Sequence, residues 1–194
     1  MLKEAQRELT FYEAQSMLGT MLVGVNQIGV VFAEPGQRRA IATCGLGECT
    51  AVAIQFEKLD NPNIHGGIIA HYQPFVVSRL NVENGIRVGS HEALELEIVA
   101  KALIISLGEE DPKSPTGHSP RPGELERIQV LTAALKRIFG EKTPVSKVGY
   151  RPPRNHGWIT DLPEPRERGT VIVEYGSEHP IVKVDGFEIP QAFA

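Results

Sequence analysis

The chain has 194 residues, 41% of them hydrophobic and 23% charged, with a formal net charge of -4, an ordinary balance for a chain with one buried core and one that excludes a disordered or fibrous protein. With no basic excess and only 6% aromatic residues, it lacks both the electrostatic footprint and the stacking platform of a nucleic-acid binder. The charged start Met1–Glu8 and the absence of a long apolar stretch argue against a cleaved signal or a membrane span, so the expectation is a single domain over residues 1–194, cytoplasmic or delivered to a target cell without a cleaved signal peptide.

In chain order, Lys3 to Leu18 reads as a helix with Leu9, Tyr12, Ala14, Met17 and Leu18 on one side and Gly19 as its stop. Short β-type runs follow at Met21–Val25 and Ile28–Phe32, then a turn at Pro35-Gly36 and a run Ala40–Thr43 that enters the glycine-punctuated stretch Cys44–Cys49. Beyond Cys49, the residues Thr50, Val52, Ile54 and Phe56 interleave with Ala51, Ala53 and Gln55, which suits a strand buried on both faces at its start, a short helix being the alternative. The polar stretch Glu57–Asn63 reads as a surface loop, and Gly66-Gly67 as the opening of an apolar run Ile68–Tyr72.

Pro74 to Leu80 reads as a further strand, and Ser90 as the N-cap of a helix over Glu92–Leu107. Gly108 to Gly123, with Pro112, Pro115, Pro120 and Pro122, reads as a long irregular loop. Glu124–Phe139 is the clearest helix, striped by Leu125, Ile128, Leu131, Leu135 and Ile138, with basic Lys136-Arg137 at its end and Gly140 as its stop. A strand at Val145–Tyr150, a loop Arg151–Trp158 and a hairpin of Thr170–Tyr175 with Ile181–Asp185 complete the chain. Strands before and after a few helices imply an α+β domain in which mixed or antiparallel sheets carry helices on the outside.

The chemistry concentrates on two cysteines and the histidines that follow them. Cys44 and Cys49 flank a tight glycine turn and supply neither a disulfide framework nor a metal quartet. Cys49 is the candidate nucleophile and His71 the candidate base: an antiparallel hairpin starting at Cys49 and ending at His71 returns the imidazole to the thiol. Gly45 and Gly47 let the backbone turn sharply, so that amides around Glu48 and Cys49 point at a common spot for an oxyanion, and Thr43 is placed to orient the imidazole. The ordinary alternative is a buried inert thiol and a hydrogen-bonded core histidine. His65 competes as partner from a polar loop, and Cys44, pointing the other way on its pleat, reads as packing.

At these residues the sequence resembles the CheD family of chemoreceptor glutamine deamidases, whose pattern Thr-x-Gly-Leu-Gly-Ser-Cys and Gly-x-x-x-His reads here Thr43-x-Gly45-Leu46-Gly47-x-Cys49 and Gly67-Ile68-Ile69-Ala70-His71. The likeness covers about Gly24 to Pro74, and Gly149-Tyr150-Arg151 with Asn155 is faintly similar to a later family segment. Glu48 stands where the family usually has Ser.

The resemblance implies a four-layer α/β/β/α sandwich shared with toxins of the cytotoxic necrotising factor type. It also implies a Cys49-His71-Thr43 triad and deamidation of a glutamine on a protein substrate through a Cys thioester, with no metal or organic cofactor. Three other readings accompany it: a deamidating effector with a target outside chemotaxis, a YfiH-like hydrolase of a small molecule such as a nucleoside with a metal near His65 and His71, and a non-catalytic binding module that docks through Arg151–Trp158.

Overall fold

Strands that are apolar on both faces must be covered on both, and that requirement sets the layering. The structure, a computed structural model, describes residues 20–33, 37–95, 97–151, 169–175, 180–190 and 192–193. The helix expected over Lys3–Leu18, the Pro35-Gly36 turn and all of the Arg151–Trp158 loop except Arg151 lie outside these residues.

One sheet has the order β1-β3-β9-β10-β11, formed by β1 (Thr20–Val23), β3 (Arg39–Thr43), β9 (Val171–Tyr175), β10 (Ile181–Val184) and β11 (Phe187–Glu188). In it β1 and β3 are parallel, and the remaining pairs are antiparallel. The other sheet runs β2-β5-β4-β6, made of β2 (Ile28–Ala33), β5 (Asn61–Tyr72), β4 (Thr50–Lys58) and β6 (Ile98–Glu110). Its last strand pairs antiparallel with β7 (His118–Pro120) and parallel with β8 (Val145–Tyr150). Both sheets are therefore part of an α+β fold.

Alternation along β4 and β5 divides their side chains between two cores. Ala51, Ala53 and Ile69 face the first sheet and meet Ile41, Val171 and Val173. Val52, Ile54, Phe56, Ile68 and Ala70 face the helices α1 (Arg79–Gly89) and α3 (Leu125–Phe139), meeting Val82, Ile86, Leu131 and Leu135. The described residues thus supply a helix layer and two sheets of the expected sandwich, and on the far side of the first sheet Ala40, Ala42 and Ile172 form a small buried cluster. Among the described residues no helix is long and apolar enough to cross a membrane.

The structure corrects five expectations. The polar stretch 57–63 is mostly strand: β4 runs to Lys58, Leu59 and Asp60 make a tight turn, and β5 starts at Asn61. Gly66 and Gly67 lie inside β5 because a Cβ there would overlap the Val31 carbonyl and the Tyr175 hydroxyl, respectively. Pro74–Val76 is a 3-10 turn rather than a strand, and Ser78 caps α1 by accepting from the Asn81 amide at 3.3 Å.

Ser90 closes α1 by donating to the Ile86 carbonyl, and only the short α2 (His91–Leu94) follows before the chain becomes β6. The helical spacing of Leu94, Ile98, Ala102 and Ile105 misled because a run apolar on all sides suits a central strand equally well. The proline-rich stretch 108–123 also contains order, since β6 extends to Glu110 and folds back on β7. Prolines are tolerated there because β7 is a short strand with one ladder partner, on which a missing N–H is harmless.

The helix-facing side of β4 yields a stability prediction. Thr50 is fully buried, and its hydroxyl has no partner among the described residues, so the group has left water without visible compensation. Thr50→Val keeps the shape and removes the orphan, and is expected to stabilise the fold by about 1 kcal/mol in urea unfolding. A loss of stability would show that the hydroxyl is satisfied in solution.

Candidate active site

The loop from Cys44 to Cys49 joins β3, in one sheet, to β4, in the other. It turns at Gly45 (φ 69°) and Gly47 (φ 52°), left-handed positions where an added Cβ would meet almost nothing, so glycine is required by backbone conformation rather than by space. The Cys49 amide donates to the Leu46 carbonyl and closes the turn, while the buried Leu46 donates its own amide to the Gly169 carbonyl at 3.1 Å. The expectation that the Cys49 amide serves an oxyanion is therefore corrected: that N–H is occupied. The amides of Gly47 and Glu48 have no partner among the described residues and remain as donors.

His71 arrives on β5. In the register Ala51 faces His71 and Thr50 faces Tyr72; Cys49, just ahead of β4 and packed against the same core as Ala51, is thus one diagonal step from His71, a relation that in a regular ladder spans about 7–8 Å. Thr43 reaches the same layer from the end of β3, and its Oγ1 lies 2.8 Å from His71 Nδ1. The same hydroxyl donates to the Val23 carbonyl at 2.7 Å. A hydroxyl has one proton and the carbonyl can only accept, so Nδ1 carries the imidazole hydrogen and Nε2 carries the lone pair. Nε2 is buried and has no hydrogen-bond partner among the described residues.

The backbone of His71 is fixed from the turn between β1 and β2. Its carbonyl accepts from the Asn26 amide at 2.7 Å, and its amide donates to the Gln27 carbonyl at 3.1 Å. Asn26, in the left-handed region at φ 57°, also exchanges two side-chain hydrogen bonds with Gln73, at 2.8 and 3.0 Å. Asn tolerates that conformation better than most residues.

Three further residues hold the loop that carries Cys49. The hydroxyl of the buried Tyr150, at the end of β8, reaches the carbonyls of Gly47 at 2.9 Å and Cys49 at 2.8 Å. Asp185 accepts from the Arg151 amide at 2.7 Å and the Gly169 amide at 2.6 Å, which fixes the residue whose carbonyl binds Leu46. Arg127 of α3 places Nη1 3.4 Å from the Glu48 carbonyl. Sequence reading missed these roles for Tyr150, Asp185 and Arg127, although Gly149-Tyr150-Arg151 was within its view. Each is far from Cys49 along the chain, and no spacing rule connects them.

Burial raises the Cys49 thiol above its ordinary value, Arg127 pulls it down and Glu48 pushes it up again. Burial lowers the His71 imidazole below its ordinary 6.5. At neutral pH the pair rests as thiol and neutral imidazole rather than as an ion pair.

Burying a neutral imidazole also makes stability depend on pH. Below pH 6.5 the unfolded chain protonates this group while the folded chain does not, so stability falls as pH drops from 6.5 toward the lower folded value and levels off beneath it. The contribution is expected to reach at most about 1.4 kcal/mol per pH unit. Urea unfolding of the wild-type and His71→Gln proteins between pH 7 and 5 measures it as a difference. Parallel curves would show that His71 is not buried in its neutral form.

The other candidates are not drawn in. His65 faces the same layer but lies six residues back along β5, roughly 20 Å from His71 on an extended strand, and its ring lies against Tyr175. Cys44 is exposed rather than packed. His65, His71 and Cys49 therefore do not converge, and among the described residues no cluster of three or more His, Cys, Asp or Glu could hold a metal ion. No protein-family model matches the chain, and no curated protein matches it.

Proposed function

We propose that the chain is a cysteine-dependent protein-glutamine deamidase with Cys49 as nucleophile, His71 as general base and acid, and Thr43 as the residue that orients the imidazole. The observation that carries this reading is the chain of hydrogen bonds from His71 Nδ1 through the Thr43 hydroxyl to the Val23 carbonyl. It leaves Nε2 with a lone pair in the layer that Cys49 borders, which is the tautomer a base needs. Nε2 itself is buried and meets no hydrogen-bond partner among the described residues, so its lone pair is not taken up elsewhere.

In the proposed reaction the Cys49 sulfur attacks the carboxamide carbon as its proton passes to Nε2. The developing oxyanion accepts from the Gly47 and Glu48 amides. Nε2 then returns the proton to the departing nitrogen and ammonia leaves. Water, deprotonated by the same nitrogen, attacks the thioester, and glutamate and the thiol are restored. Cys44, Gly45, Gly47 and Glu48 are exposed around the half-buried thiol, a setting that a glutamine presented by a protein surface can reach.

The test is peptide mapping of candidate protein substrates, chemoreceptor signalling domains first, after incubation with wild-type or Cys49→Ser protein. The expected result is a gain of about one mass unit at particular glutamines with wild type alone. An equal gain with Cys49→Ser, or none on substrates that an active control deamidase modifies, would sink the proposal.

A further inference from the structure

A buried carboxylate beside the nucleophile loop is used by none of these steps. Glu124, just ahead of α3, is fully buried and forms ion pairs with Arg127 at 2.7 Å and Arg121 at 3.2 Å. A carboxylate out of water is tolerated only when it is paired, and here two guanidiniums meet one carboxylate, so the cluster keeps a net positive charge. Arg127 is the member that reaches the loop, touching the carbonyl of the peptide bond that leads into Cys49. It also stands in the first turn of α3, where the helix dipole disfavours a cation. Its 2.7 Å pairing with the buried Glu124 holds it there against the dipole, and from that place it also reaches the loop.

We propose that Arg127, braced by Glu124, is a positioning residue for Cys49: it holds the Glu48 carbonyl and sets a positive charge against the sulfur as that sulfur becomes a thiolate. The charge answers Glu48, which occupies the position before the nucleophile and repels the same developing anion. Around Cys49 stand Glu48 from its own loop, His71 on the neighbouring strand β5, Tyr150 from β8, whose hydroxyl reaches the Cys49 carbonyl, and Arg127 from α3, paired with Glu124, which also holds Arg121. Among them Arg127 and Glu48 act on the thiol by charge, in opposite directions. The inference rests on Cys49 being the nucleophile, and it is independent of the substrate.

The experiment is alkylation by iodoacetamide, followed by intact mass from pH 6 to 10 in a Cys44→Ser background, so that a single thiol reports. The thiolate displaces iodide and forms the S–C bond, so the rate follows the thiolate fraction. Arg127→Gln is expected to react roughly threefold more slowly near neutral pH, with its profile displaced to higher pH. Arg127→Lys is expected to recover most of the rate, and added salt to shrink the difference.

Superimposable profiles for Arg127→Gln and the background at low salt would overturn the proposal. If the Gln variant fails to fold, Arg127→Met takes its place and is read in the same way: a profile displaced to higher pH supports the proposal, and one superimposable on the background overturns it. Alkylation needs no protein substrate. A failure to deamidate therefore leaves this test standing, and an unchanged alkylation profile leaves the deamidase reading standing.

Discussion

Cys49→Ser and His71→Ala are each expected to lower the deamidation rate by at least about 10³-fold, and the double variant to be little worse than either alone. Serine keeps the shape of the site, but its hydroxyl gives up a proton far less readily than a thiol and is a poor nucleophile beside a neutral imidazole. Alanine at position 71 removes both the acceptor of the thiol proton and the donor to the leaving ammonia, and it empties a fully buried position. Because the two residues act in one step, losing the second after the first removes little that is left. Initial rates of ammonia release, with circular dichroism as the check on folding, measure this. Multiplicative losses in the double variant would show that the residues act separately.

Thr43→Val is expected to lower turnover by roughly 10²-fold while Thr43→Ser keeps most of the rate. Valine has nearly the same shape, so the change isolates the hydroxyl that links Nδ1 to the Val23 carbonyl. Without it the imidazole has no fixed acceptor for Nδ1–H, and the tautomer with hydrogen on Nε2, which cannot accept the thiol proton, becomes populated. The loss should fall on kcat rather than KM, because Thr43 orients the base without contacting substrate. A Thr43→Val protein at the full wild-type rate would show that some other contact sets the tautomer. The Thr43 partner is neutral and supplies no charge to an imidazolium, which places the expected effect below that of losing a carboxylate in the same role.

How far these elements were legible depends on where their information lies. Leu125–Phe139 is a helix with one buried stripe, a pattern that repeats along the chain and needs no partner to be recognised. The hairpin of β4 and β5 was legible as a return of His71 toward Cys49, although its turn and the interior position of Gly66 and Gly67 were not. A glycine inside a strand reads as punctuation until the approaching Val31 carbonyl and Tyr175 hydroxyl are known. Ile98–Glu110 failed for a related reason: burial on both faces erases the alternation that separates strand from helix, leaving its partners β4 and β8 to decide.

The local chemistry can be read from the chain alone: a cysteine after two glycines that turn the backbone, a histidine at the end of an apolar run, and a threonine ahead of the turn. Those are properties of neighbouring residues, governed by allowed dihedral angles and side-chain alternation, and they survive without knowledge of the rest of the chain. That Thr43 crosses from one sheet to reach an imidazole in the other follows from the packing of the two sheets. The same is true of Val23 taking the threonine proton, and of Tyr150, Asp185 and Arg127 meeting on the loop that carries Cys49. Those contacts join residues from separate elements, and they exist because two sheets buried on both faces must stack, which brings the end of β3 beside the end of β5.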